Sequence, residues 1–280
     1  MNEQEKIFQQ IQKLFDENPE SFNIIEEEID IDLQMEYLKR SKKLHKEKKP
    51  LETVLNQVPL LYDKETRSEE KRDILINLAD FEEVEAFRAI EAFHKEAPED
   101  MKPWAAMAYR ESKMVLESSL LDEKQILIST GLGGKGYKLR FFIVLVNKKK
   151  EEYSETQQKL IETEIEYALK NADSKFESIE FENDLAKIFT LIPINISIKE
   201  TIQLAIDECN QYGNFIDENF LVTNIKKLSS EEIYQVINQK NADQELKSID
   251  IEDSFDENDF DDDFDDFEDL DDDFDDDDDL

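Results

Sequence analysis

Glycine is absent from the first 130 residues, only one cysteine and two histidines occur in 280 residues, and no apolar run exceeds six residues. Each scarcity removes a class of protein. One cysteine, Cys209, leaves no internal disulfide and nothing that points to an oxidising compartment. It falls on the apolar face of a predicted helix and is read as a small buried core residue. No stretch approaches the roughly 18 apolar residues that a bilayer span needs. The start, Met1-Asn2-Glu3-Gln4-Glu5-Lys6, has no basic leader followed by an apolar run, so no signal peptide is read there and a cytoplasmic location is expected. Neither His45 nor His94 has a ligand or nucleophile at useful spacing. The acidic patch Glu26, Glu27, Glu28, Asp30 and Asp32 lacks the turn glycine of a calcium loop. No metal, no cofactor and no catalytic residue is therefore expected, and the chain reads as a non-enzyme.

What is abundant is acid. The formal net charge is −37, from 71 Asp and Glu against 34 Lys and Arg. Residues 250–280 hold 21 of those acids and no base, so the first 249 residues, with 50 acids, carry −16. Such a field repels nucleic acid and anionic membrane and favours basic partners. Hydrophobic residues still make up 39% and aromatics 10%, enough to fill a core ahead of the tail.

Three regions are expected: a helical domain over 1–121, an α+β domain over 122–245, and a disordered acidic-aromatic tail over 246–280. In the first, Phe8, Ile11, Leu14 and Phe15 recur at helical spacing, as do Phe81, Val84, Phe87, Ile90 and Phe93. Pro19, Pro50, Pro59 and Pro98 mark turns between helices that need no glycine. From residue 125, β-branched and aromatic runs alternate with capped helices. A strand Gln125 to Thr130 is expected to turn through the glycine cluster into a strand Tyr137 to Asn147. Then come a helix capped by Ser154 and Gln157, strands near Phe176–Phe181 and Ala186–Ile194, a helix opened by Ser197 and Glu200, a strand Phe220–Ile225, and a short helix capped by Ser229 and Glu232. Leaving out the first strand, the order strand, helix, strand, strand, helix, strand is that of a ferredoxin-like sandwich.

Within the helical region, Ala86, Ile90 and Pro98, followed by Trp104, Met107 and Ala108, resemble about one and a half tetratricopeptide repeats. They stand where that family's second helix has a small residue, a large one and its closing proline, and where the next helix opens. Phe93 and Glu111 depart from the pattern, and no third repeat follows. The resemblance implies helical hairpins.

Four of the five glycines lie in Gly131-Leu132-Gly133-Gly134-Lys135-Gly136, with Lys138 and Arg140 just beyond. The string satisfies G-x-G-x-x-G, but a strand rather than a helix follows, no Gly-Lys-Ser/Thr ending is present, and no kinase segments accompany it. Beside a nucleotide-dependent enzyme, which this context disfavours, two readings lead, a hairpin tip using glycine's positive φ, and a loop in which Gly131, Gly133, Gly134, Lys135, Gly136, Lys138 and Arg140 contact an anion such as an RNA backbone. The run from Lys39 to Lys49 is read as a solvated helix end, with an RNA-binding patch as the alternative.

The tail sets single apolar residues among acids. Phe260, Phe264, Phe267, Leu270 and Phe274 are spaced by four, three, three and four positions, with Phe255 upstream, so a helix would align them on one stripe. Aspartate disfavours a free helix, and so little apolar surface cannot offset ordering entropy. Order is expected only on a partner that offers an apolar groove rimmed by Lys or Arg. The leading expectation is thus an adaptor or chaperone-like protein whose tail binds basic proteins, ribosomal ones among them. The alternative is RNA or ribosome association through the glycine loop, with the tail as regulator.

Overall fold

The computed structural model describes residues 13, 15, 18–47, 49–121 and 125–242. The chain is α+β, with helices first and an antiparallel sheet after them.

The helical part comprises α1 (Ile31–Leu44), α2 (Leu51–Leu55), α3 (Val58–Tyr62), α4 (Ser68–Ala79), α5 (Val84–Glu96) and α6 (Lys102–Leu121). Asp30 starts α1 by accepting from the amides of Asp32 (2.9 Å) and Leu33 (3.3 Å), and Lys42 and Lys43 sit in its last turn, matching the helix dipole at both ends. Pro50 and Pro59 stand at helix starts, where a missing N–H costs nothing. One apolar cluster joins these helices: Tyr37, Val54, Leu61, Leu75, Leu78, Ala86, Ile90, Phe93 and Trp104 are all buried in it. Trp104 is 1% exposed, meets the Tyr37 ring edge-on at 5.1 Å and carries the Arg72 guanidinium 4.5 Å over its face.

The sheet part comprises β2 (Ile126–Ile128), β3 (Gly134–Lys135), β4 (Lys138–Val146), α7 (Glu155–Asn171), β5 (Lys175–Glu182), β6 (Leu185–Pro193), α8 (Ile198–Gln211), β7 (Leu221–Thr223) and α9 (Ser230–Ala242). The caps act as the spacing predicts. Ser154 and Gln157 form a reciprocal capping box on α7, and Ser229 and Glu232 close another on α9 at 2.8 and 3.2 Å. Ser197 accepts from the Glu200 amide. The strands lie in the order β7, β4, β6, β5, each antiparallel to its neighbour, with β3 pairing a short stretch of β4. Both crossovers, β4–α7–β5 and β6–α8–β7, therefore join parallel strands that have one antiparallel strand between them.

β4 is buried from Phe141 to Leu145 without alternation, because both sheet faces are covered. On one face Phe141, Ile143 and Leu145 meet Ile161, Ile165 and Leu169 of α7 and Ile202, Ile206 and Cys209 of α8. On the other, Phe142, Val144, Leu185 and Leu221 meet Leu132 and Ile233 of α9. Cys209 is buried, and burial pushes its thiol up to about 12.

Two expectations change. The first 121 residues contain a strand, β1 (Phe22–Ile24), and the Gln125–Thr130 segment pairs in parallel with it, Phe22 opposite Ile126 and Ile24 opposite Ile128, rather than folding back on β4. The reason is packing: Phe22, Ile24, Ile126 and Ile128 share an apolar cluster with Phe15, Leu139 and Ile194, which ties Phe15 and β1 to the sheet. The glycine cluster is the crossing point. A Cβ on Gly131 would lie 1.7 Å from the Ile225 carbonyl oxygen. One on Gly133, whose φ is +66°, would lie 2.5 Å from the carbonyl oxygens of both Glu26 and Glu27. Gly136, with φ +60°, faces open space.

Those two glycines give a direct comparison. Gly136→Ala bears only the cost of a left-handed residue, about 1 kcal/mol. Gly133→Ala bears that cost and displaces two carbonyls besides, so urea unfolding is expected to show a loss of at least about 2–3 kcal/mol. Equal losses in the two variants would mean that the crossing yields freely.

Candidate interaction site

The sequence offers the glycine segment as a hairpin tip, and its placement decides what it can bind. Thr130 to Gly134 are buried, whereas Lys135, Gly136 and Tyr137 are exposed. Its amides already have acceptors within the protein. Leu132 N–H donates to the Asn224 carbonyl at 2.9 Å, Gly133 N–H to Thr130 at 3.1 Å, and Gly134 N–H to the Glu26 carbonyl at 3.4 Å. Gly136 N–H donates to the Glu26 carboxylate at 3.3 Å. A carboxylate of the chain itself thus stands where a phosphate-binding loop would present free amides.

The flanking cations differ from one another. Arg140 grips Glu177 through Nε (2.6 Å) and Nη2 (3.3 Å), and its Nη1 donates to the Leu132 carbonyl at 2.9 Å. That hydrogen-bonded pairing raises its pKa. Lys138 lies 3.2 Å from an Asp173 carboxylate oxygen and also donates to the Asp173 carbonyl. Lys135 is exposed at the turn. The structure thus brings all seven loop residues together but commits two of the three cations to the chain's own acids. In the other basic run, Arg40 pairs with Asp73 at 2.5 Å and donates to the Glu69 carbonyl, across from α1 to α4. The tail residues Phe255, Phe260, Phe264, Phe267, Leu270 and Phe274 lie outside the described residues.

Two polar clusters in the helical part are not visible as spacing. Ser41 Oγ donates to Glu111 at 3.1 Å, lies 3.3 Å from a His45 ring nitrogen, and His45 is 3.5 Å from Asp80. Tyr37 donates to the other Glu111 oxygen. Burial raises Glu111 above the usual carboxylate range and, with Glu111 beside it, raises Tyr37 as well. Ser41 is only 5% exposed and its proton is committed to a carboxylate, so this network fastens α1 to α6 and leaves the hydroxyl no access to a substrate. In the second cluster His94 stacks on Tyr109 at 5.1 Å, 3.8 Å from Glu27, with Arg110 3.7 Å from the same carboxylate. Burial lowers the His94 pKa, the neighbouring Glu27 opposing it only in part. Contacts across three elements, which spacing along the chain does not encode, assemble both clusters. Among the described residues no group of three or more His, Cys, Asp or Glu could hold a metal ion, and no helix is long and apolar enough to cross a membrane.

The outer side of the sheet part carries a further feature. α7 and α8 leave a groove between them of about 510 Å³, bordered by Tyr167 and Leu204, which are 63% and 64% exposed. Isolated apolar side chains on a surface are ordinary, and the feature that sets these two apart is that both line one groove between two helices.

Arg140→Ala should destabilise the fold by about 1–3 kcal/mol in chemical unfolding, the range for hydrogen bonds to charged groups, while Lys135→Ala leaves the midpoint in place. For His94, a lowered folded pKa means that the unfolded chain takes up the proton first. Stability contributed by the neutral ring is then present above 6.5 and declines as pH falls below it. Between pH 7.5 and 5.5, His94→Gln is expected to lose less melting temperature than the unaltered chain.

No family model matches the sequence, and no curated protein does either. Among solved structures the chain is similar to "a putative transposase from deinococcus radiodurans r1", at 12% identity and TM-score 0.29, over 40% of this chain and 94% of that one. The likeness is too distant to bear on what either chain does.

Proposed function

We propose that the chain is a non-enzymatic interaction protein, adaptor or chaperone-like, whose acidic-aromatic tail binds a basic partner protein. The observation that carries this reading is the tail itself. Thirty-one residues hold 21 acids and no base, with large apolar residues at helical spacing. A tail serving only solubility has no use for Phe260, Phe264, Phe267 and Phe274 at that spacing.

The body supports the same sign of partner. Residues 1–249 carry a net charge of −16, and the loop cations Lys138 and Arg140 already face Asp173 and Glu177. Beside this stands a reading of the scaffold as ferredoxin-like over 122–245, supported by the strand order and by two crossovers that each skip one strand. The buried Ala86, Ile90, Trp104, Met107 and Ala108 support the hairpin that the tetratricopeptide likeness implies. Neither fold reading carries function, since each scaffold hosts many.

RNA or ribosome association through the glycine loop is the second reading. Lys135, exposed beside a glycine that faces open space, favours it.

Retention of proteins from a low-salt lysate, by the full chain and by one lacking residues 250–280, each with and without nuclease, separates the two. Basic proteins that vanish with the tail and ignore nuclease are the expected result. Nuclease-sensitive components retained without the tail, and lost in Lys135→Ala, would replace it with the RNA reading.

A further inference from the structure

We propose that the groove between α7 and α8 docks a cationic amphipathic segment of the partner protein, an inference that rests on the basic-partner reading above. α7 returns from β4 to β5 and α8 from β6 to β7. Because β4 and β6 are antiparallel, the two helices run in opposite senses on the same sheet face. Each contributes a stripe at helical spacing. Glu164, Tyr167, Ala168 and Asn171 come from α7, and Thr201, Leu204, Ala205 and Glu208 from α8.

In that antiparallel register Glu164 and Glu208 fall at the same end of the groove. In the same register Tyr167 and Leu204 fall at mid-groove, where Ala168 and the buried Ala205 also line it. Among the described residues no lysine or arginine closes on either glutamate, and Glu208 is met only by the Gln211 amide at 2.9 Å. Shape and charge thus ask for an apolar side chain between Tyr167 and Leu204, and for an arginine or lysine at the paired carboxylates.

Charge chooses the occupant. α7 and α8 together carry seven acids against three lysines. The chain's own tail, with 21 acids, would be repelled, and a second copy would bring Glu164 and Glu208 against their like. Nucleic acid and an anionic membrane fail on the same ground. A basic polypeptide remains.

The probe is a fluorescein-labelled synthetic helix of leucine, alanine and arginine about five turns long, followed by anisotropy against full-length chains. Leu204→Lys/Glu208→Lys places two cations in the groove. Leu38→Lys/Glu85→Lys makes the same change in charge at exposed positions of α1 and α5, which do not line the groove. The milder Glu164→Gln/Glu208→Gln keeps the shape and removes only the charges. A fourth full-length chain carries serine at Phe255, Phe260, Phe264, Phe267, Leu270 and Phe274.

With melting temperatures unchanged, the groove variant is expected to bind at least about tenfold more weakly than the remote control, and the Gln pair to lose several-fold with a shallower salt dependence. Equal weakening by the groove and remote variants would reduce the effect to overall charge and overturn the groove, while binding lost in the serine chain alone would overturn the groove and keep the tail reading. Loss in the groove variants with full binding by the serine chain would keep the groove and discard the tail as the binding element. If no chain binds the probe, both fall.

Discussion

The close approach of three backbone segments at Gly131–Gly134 is the constraint on which the rest of the structure depends. The carbonyls of Glu26 and Glu27 on one side and of Ile225 on the other leave no room for a Cβ there. Ile29 N–H donates to the Gly131 carbonyl and Leu132 N–H to Asn224, so the segment is bonded to residues about a hundred positions earlier and about ninety later. Through it the strand pair β1–β2 is held against the edge of the sheet, and the helical part is joined to the α+β part. Side chains at these positions would push the segments apart by more than a hydrogen bond tolerates. Glycine concentrates here because the joint is made of backbone, and the described helices and strands have little use for it.

That joint also settles the local electrostatics. Backbone amides that meet protein carbonyls, and a Glu26 carboxylate at the Gly136 amide, leave the loop without the convergent free donors of an anion cradle. Arg140 and Lys138, on β4, reach past β6 to Glu177 of β5 and to Asp173 just ahead of it, and these carboxylate partners return the local charge toward neutrality. Acids outnumber bases over the rest of the body, so the unbalanced charge that faces outward is negative. The helices α7 and α8 show this on a small scale, their seven acids unmatched by three lysines around an apolar groove.

Much of the α+β part is legible in the sequence because its signals are local. A capping box is decided within four residues, as at Ser154–Gln157 and Ser229–Glu232, and the apolar stripe Ile202, Ala205, Ile206, Cys209 needs only helical spacing to be seen. The run Phe141–Val146 is as plain, since a strand covered on both faces needs no alternation. What stays hidden is non-local. Phe22-Asn23-Ile24 is too short to read as a strand, and its parallel partner lies about a hundred residues on, so nothing near either segment announces the pairing. The glycine cluster announces unusual backbone but not whether that backbone protrudes or is crossed by another segment. The Ser41–Glu111–Tyr37 network is equally hidden, because its members come from two helices with four others between them in the chain, and each residue alone reads as an ordinary polar position. The tail is readable as composition, and composition carries the sign of its own charge and no more.

Two negative features in one chain, an extended run of acids and a small acidic groove with apolar walls, act on different terms of binding. Charge spread over 31 residues raises the rate of encounter with a cationic surface and is felt over about 8 Å at physiological salt. It discriminates poorly, because any basic protein satisfies it. A groove that seated one apolar side chain between Tyr167 and Leu204 would hold it by a contact that salt does not screen, and would act on dissociation even where the cation at Glu164 and Glu208 is screened. A partner that fits both would be drawn in by the first and retained by the second. Raising the salt should therefore slow its arrival much more than it hastens its departure.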